Sequence, residues 1–299
     1  LTSDDEGAHW KQSAVPTSVN LTALRFVDAQ QGWAVGHMGI ILHTRDGGLS
    51  WHKQLDGVEA ARLAVEAVRD SGDKRQIKLA NFLVSDGPDK PFFDIWMDKQ
   101  GRGFAAGAFN LIFRTDDGGA NWRYWSPRLD NPYGLHLYAI TRLGGDFFIA
   151  GEQGLLLRSR DGGAHFQALE SPYEGSWFGL LATHAGDLFA YGLRGNAFVS
   201  HDSGDSWQPC ETASRVSFSS ATELADGRVV LANQAGQLFV SADRGEHFQP
   251  LPGLPGTPFA ALTQTDSGGL VLAGLRGLSR IAPAALSAPT VVSAPATPN

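Results

Sequence analysis

Six aspartates recur at one fixed place in a repeated octet, and a row of carboxylates is raw material for general acid–base catalysis. They are Asp5, Asp46, Asp117, Asp161, Asp202 and Asp243. Each is third in (Ser/Thr)-x-Asp-x-Gly-x-x-(Trp/Phe), starting at Ser3, Thr44, Thr115, Ser159, Ser200 and Ser241. The octets close on Trp10, Trp51, Trp122, Phe166, Trp207 and Phe248. The company these carboxylates keep argues for a turn. An Asp side chain captures nearby backbone N–H groups, the following Gly supplies a positive φ, and the closing ring starts a strand and buries a large apolar area. The six aspartates therefore read as structural turn clamps, the Asp-box motif, with no catalytic role.

Other chemistry is thinly represented. The nine histidines show no short ligand spacing, and His9, His165 and His247 share one box position on different units, so no metal site is expected. Phosphate-cradling glycine loops are absent from the sequence. Cys210 is the single cysteine, with no motif of a nucleophile and no partner for an internal disulfide. No cofactor is expected.

The elements that position these residues are legible from spacing. Successive octets start 41, 71, 44, 41 and 41 residues apart, so a unit of about 41 recurs with one insertion of about 30. Each unit also holds a short hairpin: Gly36-His-Met-Gly39, Gly107-Ala-Phe-Asn110, Gly151-Glu-Gln-Gly154, Gly192-Leu-Arg-Gly195, Asn233-Gln-Ala-Gly236 and Gly274-Leu-Arg-Gly277. Apolar runs such as Trp33-Ala-Val and Ile40-Ile-Leu flank it. Strand–hairpin–strand–box–strand is a four-stranded blade, and such repeats make a β-propeller. Units begin near residues 20, 92, 135, 176, 216 and 259, which gives an all-β, six-bladed propeller in one domain, residues 1–282. The last unit lacks a box and the first box lacks preceding strands, so the N-terminal strand is expected to close the last blade.

Composition sets limits. A net charge of −7 argues against nucleic acid as a partner. No apolar run is long enough for a membrane-spanning helix. A start at Leu1 fits an exported, processed protein, and Pro, Ala, Ser and Thr dominate from Pro283 to Asn299, which reads as a disordered tail.

The segment Leu24-Arg-Phe-Val-Asp-Ala-Gln-Gln-Gly-Trp-Ala-Val-Gly36, followed by Ile41-Leu-His-Thr-Arg-Asp-Gly-Gly-Leu-Ser-Trp51, resembles the photosystem II stability/assembly factor family. The resemblance runs through nearly all the repeats. It implies a non-enzymatic scaffold that assembles a membrane protein complex, in a periplasmic or lumenal compartment. It also implies seven blades, the alternative to the six counted here, and an arginine patch that finds no residue-by-residue match in this sequence. The rival on the same repeats is a sialidase-like glycoside hydrolase or glycan-binding propeller. Its Phe/Tyr-Arg-Ile-Pro segment has only Ser279-Arg-Ile-Ala-Pro283 as a counterpart, at the opposite end of the chain.

Blade topology sorts the loops. The linkers between blades and the hairpins inside them emerge on one face, the boxes on the other. The insertion, about residues 55–91, belongs to the first face. Val58, Ala61, Val65 and Val68 form a helical apolar stripe, Gly72 and Asp73 break it, and a second helix is expected from about Asp73 to Val84 with Ile77, Ala80 and Val84 aligned. Arg194 and Arg276 lie on this face in paired hairpins, His37 and Phe109 in comparable ones, and Tyr133 and Tyr173 in similar linkers. Tyr and Arg are favoured interface anchors, so these six residues are the expected partner-binding set.

Overall fold

The computed structural model describes residues 1–254 and 256–286. Six sheets, antiparallel except where Glu211–Thr212 adds a parallel edge to the fifth, follow one another along the chain and make a six-bladed propeller. Strands A to D of blade 1 are Leu21–Phe26, Gly32–Gly36, Ile41–Thr44 and His52–Leu55. Blade 2 has Phe92–Met97, Gly103–Gly107, Ile112–Thr115 and Arg123–Tyr124. Blade 3 has Leu137–Leu143, Asp146–Gly151, Leu156–Ser159 and Gln167–Ala168. Blade 4 has Trp177–Ala182, Leu188–Gly192, Ala197–Ser200 and Gln208–Pro209. Blade 5 has Phe218–Glu223, Val229–Asn233, Leu238–Ser241 and His247–Pro250. Blade 6 has Phe259–Gln264, Leu270–Gly274 and Gly277–Ile281.

Blades are held together by apolar layers between neighbouring sheets. Strand B of blades 1, 2, 4 and 5 is buried along its whole length, because both faces of a middle strand meet another blade. Trp33, Phe92, Phe113 and Trp122 fill the first layer, Phe104, Phe147 and Phe166 the second, and Phe189, Phe218, Phe239 and Phe248 the fourth. Each such ring contributes on the order of 1.5–3 kcal/mol through burial.

One junction differs. Innermost strands pack side by side from blade 1 through blade 6, but among the described residues no packing of that extent joins blade 6 to blade 1. The first apolar residue of strand A shows the consequence. Phe92, Leu137, Trp177 and Phe218 are 0% exposed and Phe259 3%, whereas Leu21 is 42% exposed. The N-terminal box lies at this seam, with Glu6 accepting hydrogen bonds from the Ser267 backbone (2.9 Å) and hydroxyl (2.5 Å) of blade 6. A Cβ on Gly7 would lie 3.1 Å from Val271 of blade 6, as the box glycines Gly163, Gly204 and Gly245 meet Phe104, Phe148 and Phe189 of the blade before their own. The box therefore sits in the position after blade 6 and not in blade 6 itself. It does not add a ladder strand to blade 6, whose sheet has three strands among the described residues; Thr2 pairs instead with Lys11 of its own turn. Ile281 occupies the ladder position that the box Ser or Thr holds in other blades, opposite the first residue of strand B.

The insertion folds as two helices, α1 (Gly57–Val68) and α2 (Lys74–Ser85). Asp56 caps α1 through the Glu59 N–H, and Asp73 caps α2 through the Arg75 and Gln76 N–H groups, satisfying donors that a helix start leaves free. The buried face is rotated from the expected stripe. Ala60, Ala61, Ala64 and Val68 are buried in α1 and Ala80 in α2, whereas Val58 and Val84 are 67% and 58% exposed. Small residues win because the pair packs tightly against Tyr124 and against itself. At the other end of the chain, Pro283–Leu286 form a helical turn, and Leu286 is buried against Leu224, Val230 and Leu270. The rest of the expected tail lies outside the described residues.

Candidate functional site

The boxes behave as turns. In blade 1 the Thr44 hydroxyl donates to Asp46 Oδ1 (2.7 Å) and accepts the buried Gly48 N–H (2.9 Å), while Asp46 accepts the Ser50 N–H (2.9 Å) and hydroxyl (2.5 Å). The same net recurs at Ser200, Asp202, Gly204 and Ser206. Hydrogen bonds from Ser50, then Thr44, pull the Asp46 carboxyl down to about 2, and those from Ser206, then Ser200, do the same to Asp202. Asp5, Asp117, Asp161 and Asp243 close equivalent nets. A carboxylate held this way is a poor proton acceptor near neutral pH. Among the described residues Asp243, Glu246 and His247 bring possible ligand atoms together, all exposed, but Asp243 is already spent on the His247 N–H and ring nitrogen. The Cys210 thiol is buried, which pushes its pKa up to about 12 and leaves it unreactive.

The opposite face carries the hairpins, the linkers and the insertion. Contacts between them confirm the sorting: a Cβ on Gly39 would lie 2.7 Å from Gly57 Cα, and one on Gly57 would lie 2.2 Å from Pro88 O. The blade 1 hairpin thus backs directly onto the start of α1, and only glycine permits that approach.

At the centre of this face five rings touch in sequence. Phe109 meets His136 edge-on at 4.5 Å, His136 meets Phe93 and Tyr138 at 6.1 and 5.9 Å, Phe93 meets Tyr138 at 5.3 Å, and Tyr138 meets Phe178 at 5.8 Å. Phe93, Tyr138 and Phe178 are the second residue of strand A in blades 2, 3 and 4. Thr22, Ser219 and Ala260 hold that position in blades 1, 5 and 6, so the rings form a crescent on one side of the axis. His136 is fixed by accepting the Phe109 N–H at Nδ1 (2.8 Å), which sets its tautomer. Beneath the rings, burial raises the Asp94 carboxyl to about 6, offset in part by the N–H groups of Ile140 and Ile95.

From Phe109 the surface continues outward as a groove of about 390 Å³, within the size range of binding pockets. One wall is α2, with Arg75, Gln76, Leu79, Phe82 and Leu83; the other is the Asp130–Gly134 linker, with Tyr133. Leu79, Phe82, Phe109 and Tyr133 are 42%, 56%, 59% and 87% exposed, a contiguous apolar patch of the kind that marks interaction sites.

Of the six residues expected from sequence, Phe109 and Tyr133 come together here. Arg194 is exposed on the blade 4 hairpin with its backbone at φ 60°. Met38, not His37, is the blade 1 counterpart of Phe109 and Arg194, for Met38 carries the same left-handed backbone (φ 59°). Arg276 is not paired with Arg194 in conformation. Its hairpin closes with Gly274 opposite Gly277, and among the described residues nothing backs Gly277, whereas Gly195 is backed by Ser214 at 2.4 Å. Tyr173 is not an exposed anchor: its ring folds onto Trp177 at 5.5 Å across Gly175. Phe93, His136, Tyr138, Phe178, Leu79 and Phe82 escaped the sequence reading. Aligning the units on strand A would have shown three consecutive rings at one position; nothing local marks His136.

Comparison with known proteins agrees with this architecture. The Photosystem II assembly protein Ycf48 of Synechococcus sp. (strain JA-2-3B'a(2-13)) is 30% identical over 149 residues, covering 42% of this chain and 42% of that protein. The curated relatives matched are thus spanned over less than half their length. A solved structure of YCF48 bound to D1 peptide superposes with a TM-score of 0.65 at 22% identity, over 89% of this chain and 79% of the other. Virginiamycin B lyase from Staphylococcus aureus, at TM-score 0.68 and 15% identity over 89% and 82%, shares the fold alone. The model of the photosynthesis system II assembly factor YCF48 family matches residues 3–79 and 83–248, and the chain belongs to that family.

Proposed function

We propose that this protein is a non-enzymatic scaffold for assembling a membrane-associated protein complex, working in an exported compartment, periplasmic or lumenal, and gripping its partner on the insertion face. The observation that carries this is the contiguous surface from the crescent Phe93–Tyr138–Phe178 through Phe109 to Tyr133. Exposed aromatic side chains offer large contact area at low entropic cost, which suits recognition of another chain. Family membership supports the assembly role, and a relative solved with a D1 peptide supports a peptide partner. The non-enzymatic half is supported by the engagement of all six repeated carboxylates in turn hydrogen bonds. No helix among the described residues is long and apolar enough to cross a membrane, which fits an accessory protein held to a complex by contact.

The test is capture of a membrane complex from the native host with wild-type protein, Phe109→Ser/Tyr133→Ser, and Arg194→Glu/Arg276→Glu. Losing two anchors should weaken capture by about tenfold or more, since interface aromatics commonly carry 1–2 kcal/mol or more each. Failure of the wild-type protein to capture any membrane complex, or turnover of a sialoside, would overturn the reading.

A further inference from the structure

Resting on the scaffold reading, we infer that the groove between α2 and the Asp130–Gly134 linker takes a short acidic peptide segment whose apolar side chains lie among Leu79, Phe82, Phe109 and Tyr133. The charge on α2 argues for it. Residues 74–85 contain Lys74, Arg75 and Lys78 and no acidic residue. Among the described residues these three cations make no ion pair, while Arg62 on α1 holds both Glu59 and Glu66 at 2.5 Å. The capping Asp73 offsets one of the three cations, so the first turns of α2 carry a net +2 (Lys74, Arg75 and Lys78 less Asp73) in a chain of net charge −7. Such positive fields select and orient anionic partners.

Position ties that charge to the groove. Arg75, Leu79, Phe82 and Leu83 line one wall at the i, i+4, i+7 and i+8 spacing of a single helix face, and Lys78 flanks it three residues from Arg75. Lys90, the other cation lining the groove, is buried and neutralised by Asp86 and Asp89, so it adds little net charge. The opposite wall carries Asp130. The walls are therefore electrically unlike, and the segment's carboxylates belong on the α2 side. Apolar contact alone would accept many sequences; the asymmetry supplies direction and selectivity.

The probe is a displayed library of random dodecapeptides, panned on the whole protein at low ionic strength, with selected peptides then measured by fluorescence anisotropy. Selected sequences should combine Asp or Glu with Leu, Ile or Phe, and added salt should weaken them. Arg75→Glu/Lys78→Glu and Leu79→Ser/Phe82→Ser alter exposed positions, leave the helix fold intact by circular dichroism, and should each weaken binding about tenfold or more. Arg45→Glu, exposed on the box face, should leave it unchanged. Selection of basic or purely polar peptides, of no binder at all, or of binders indifferent to both groove variants would overturn the inference. Membrane capture separates the two claims: a complex retained equally by the groove variants removes the groove and leaves the scaffold, whereas no capture by wild-type protein removes the scaffold.

Discussion

Within each box the recurring carboxylate is the less costly member to lose. The Ser200 hydroxyl accepts the Gly204 N–H at 2.7 Å in a buried position, whereas Asp202 accepts from Ser206, whose groups are exposed. Water can replace Asp202 at Ser206; nothing replaces Ser200 at Gly204. Ser200→Ala should cost about 1–3 kcal/mol and Asp202→Ala about 0.5–1.5 kcal/mol, read from denaturant midpoints; the reverse order would mean that the carboxylate acts beyond the turn. The pH arm follows from the same net. Asp46 and Asp202 fall from 3.8 unfolded to about 2 folded, so their stabilisation is complete above pH 4 and is lost as pH falls from 4 through 2. The octet spelled out this role because Ser, Asp and Gly fall at fixed offsets within one turn. The groove was not spelled out, since Leu79 and Tyr133 lie 54 positions apart and meet only through the packing of α2.

At the level of elements, strand periodicity and glycine punctuation placed every unit start within two residues of the observed strand A. The helices were legible in extent but not in phase. Val58 and Val84 fit an apolar stripe on paper, yet the tight α1–α2 contact buries Ala64, Val68 and Ala80 and leaves Val58 and Val84 outward. What fixes the insertion is its backbone approach to blade 1, and that gives a prediction. Gly39→Ala places a Cβ 2.7 Å from Gly57 Cα at φ 60°, so it must push α1 away or strain the hairpin. The cost should be about 1–2 kcal/mol from the left-handed backbone alone, with faster amide exchange in α1 and α2 than in the blades. Uniform protection across both, with an unchanged midpoint, would show that the hairpin is held by its side-chain contacts instead.

The whole molecule is a ring whose blades are alike in plan and unlike at one joint. Repeat counting gave six blades from spacing alone, but it assigned the orphan box to the last of them, whereas Gly7 meets Val271 as the boxes of blades 3 to 5 meet the blade before their own. It could not show how the box is seated, because Gly7 and Val271 meet only through packing. The N-terminal turn bridges the seam by contact, Glu6 to Ser267 and Gly7 against Val271 on blade 6, and Thr2 beside Gly48 on blade 1. Removing residues 1–15 should bare Val271 and the Gly48 turn beside an outer edge of blade 6 that is unpaired among the described residues, and an open edge beside apolar surface invites association. The truncated protein should melt lower and aggregate on heating, and Glu6→Ala should move the same way by less, since it loses one set of exposed contacts and keeps the cover. An unchanged melting temperature and a monodisperse truncated protein would mean that the seam is sealed from the blade 1 side, by Val19 packed on Ala34 and Leu42, and that the first box is dispensable to the ring.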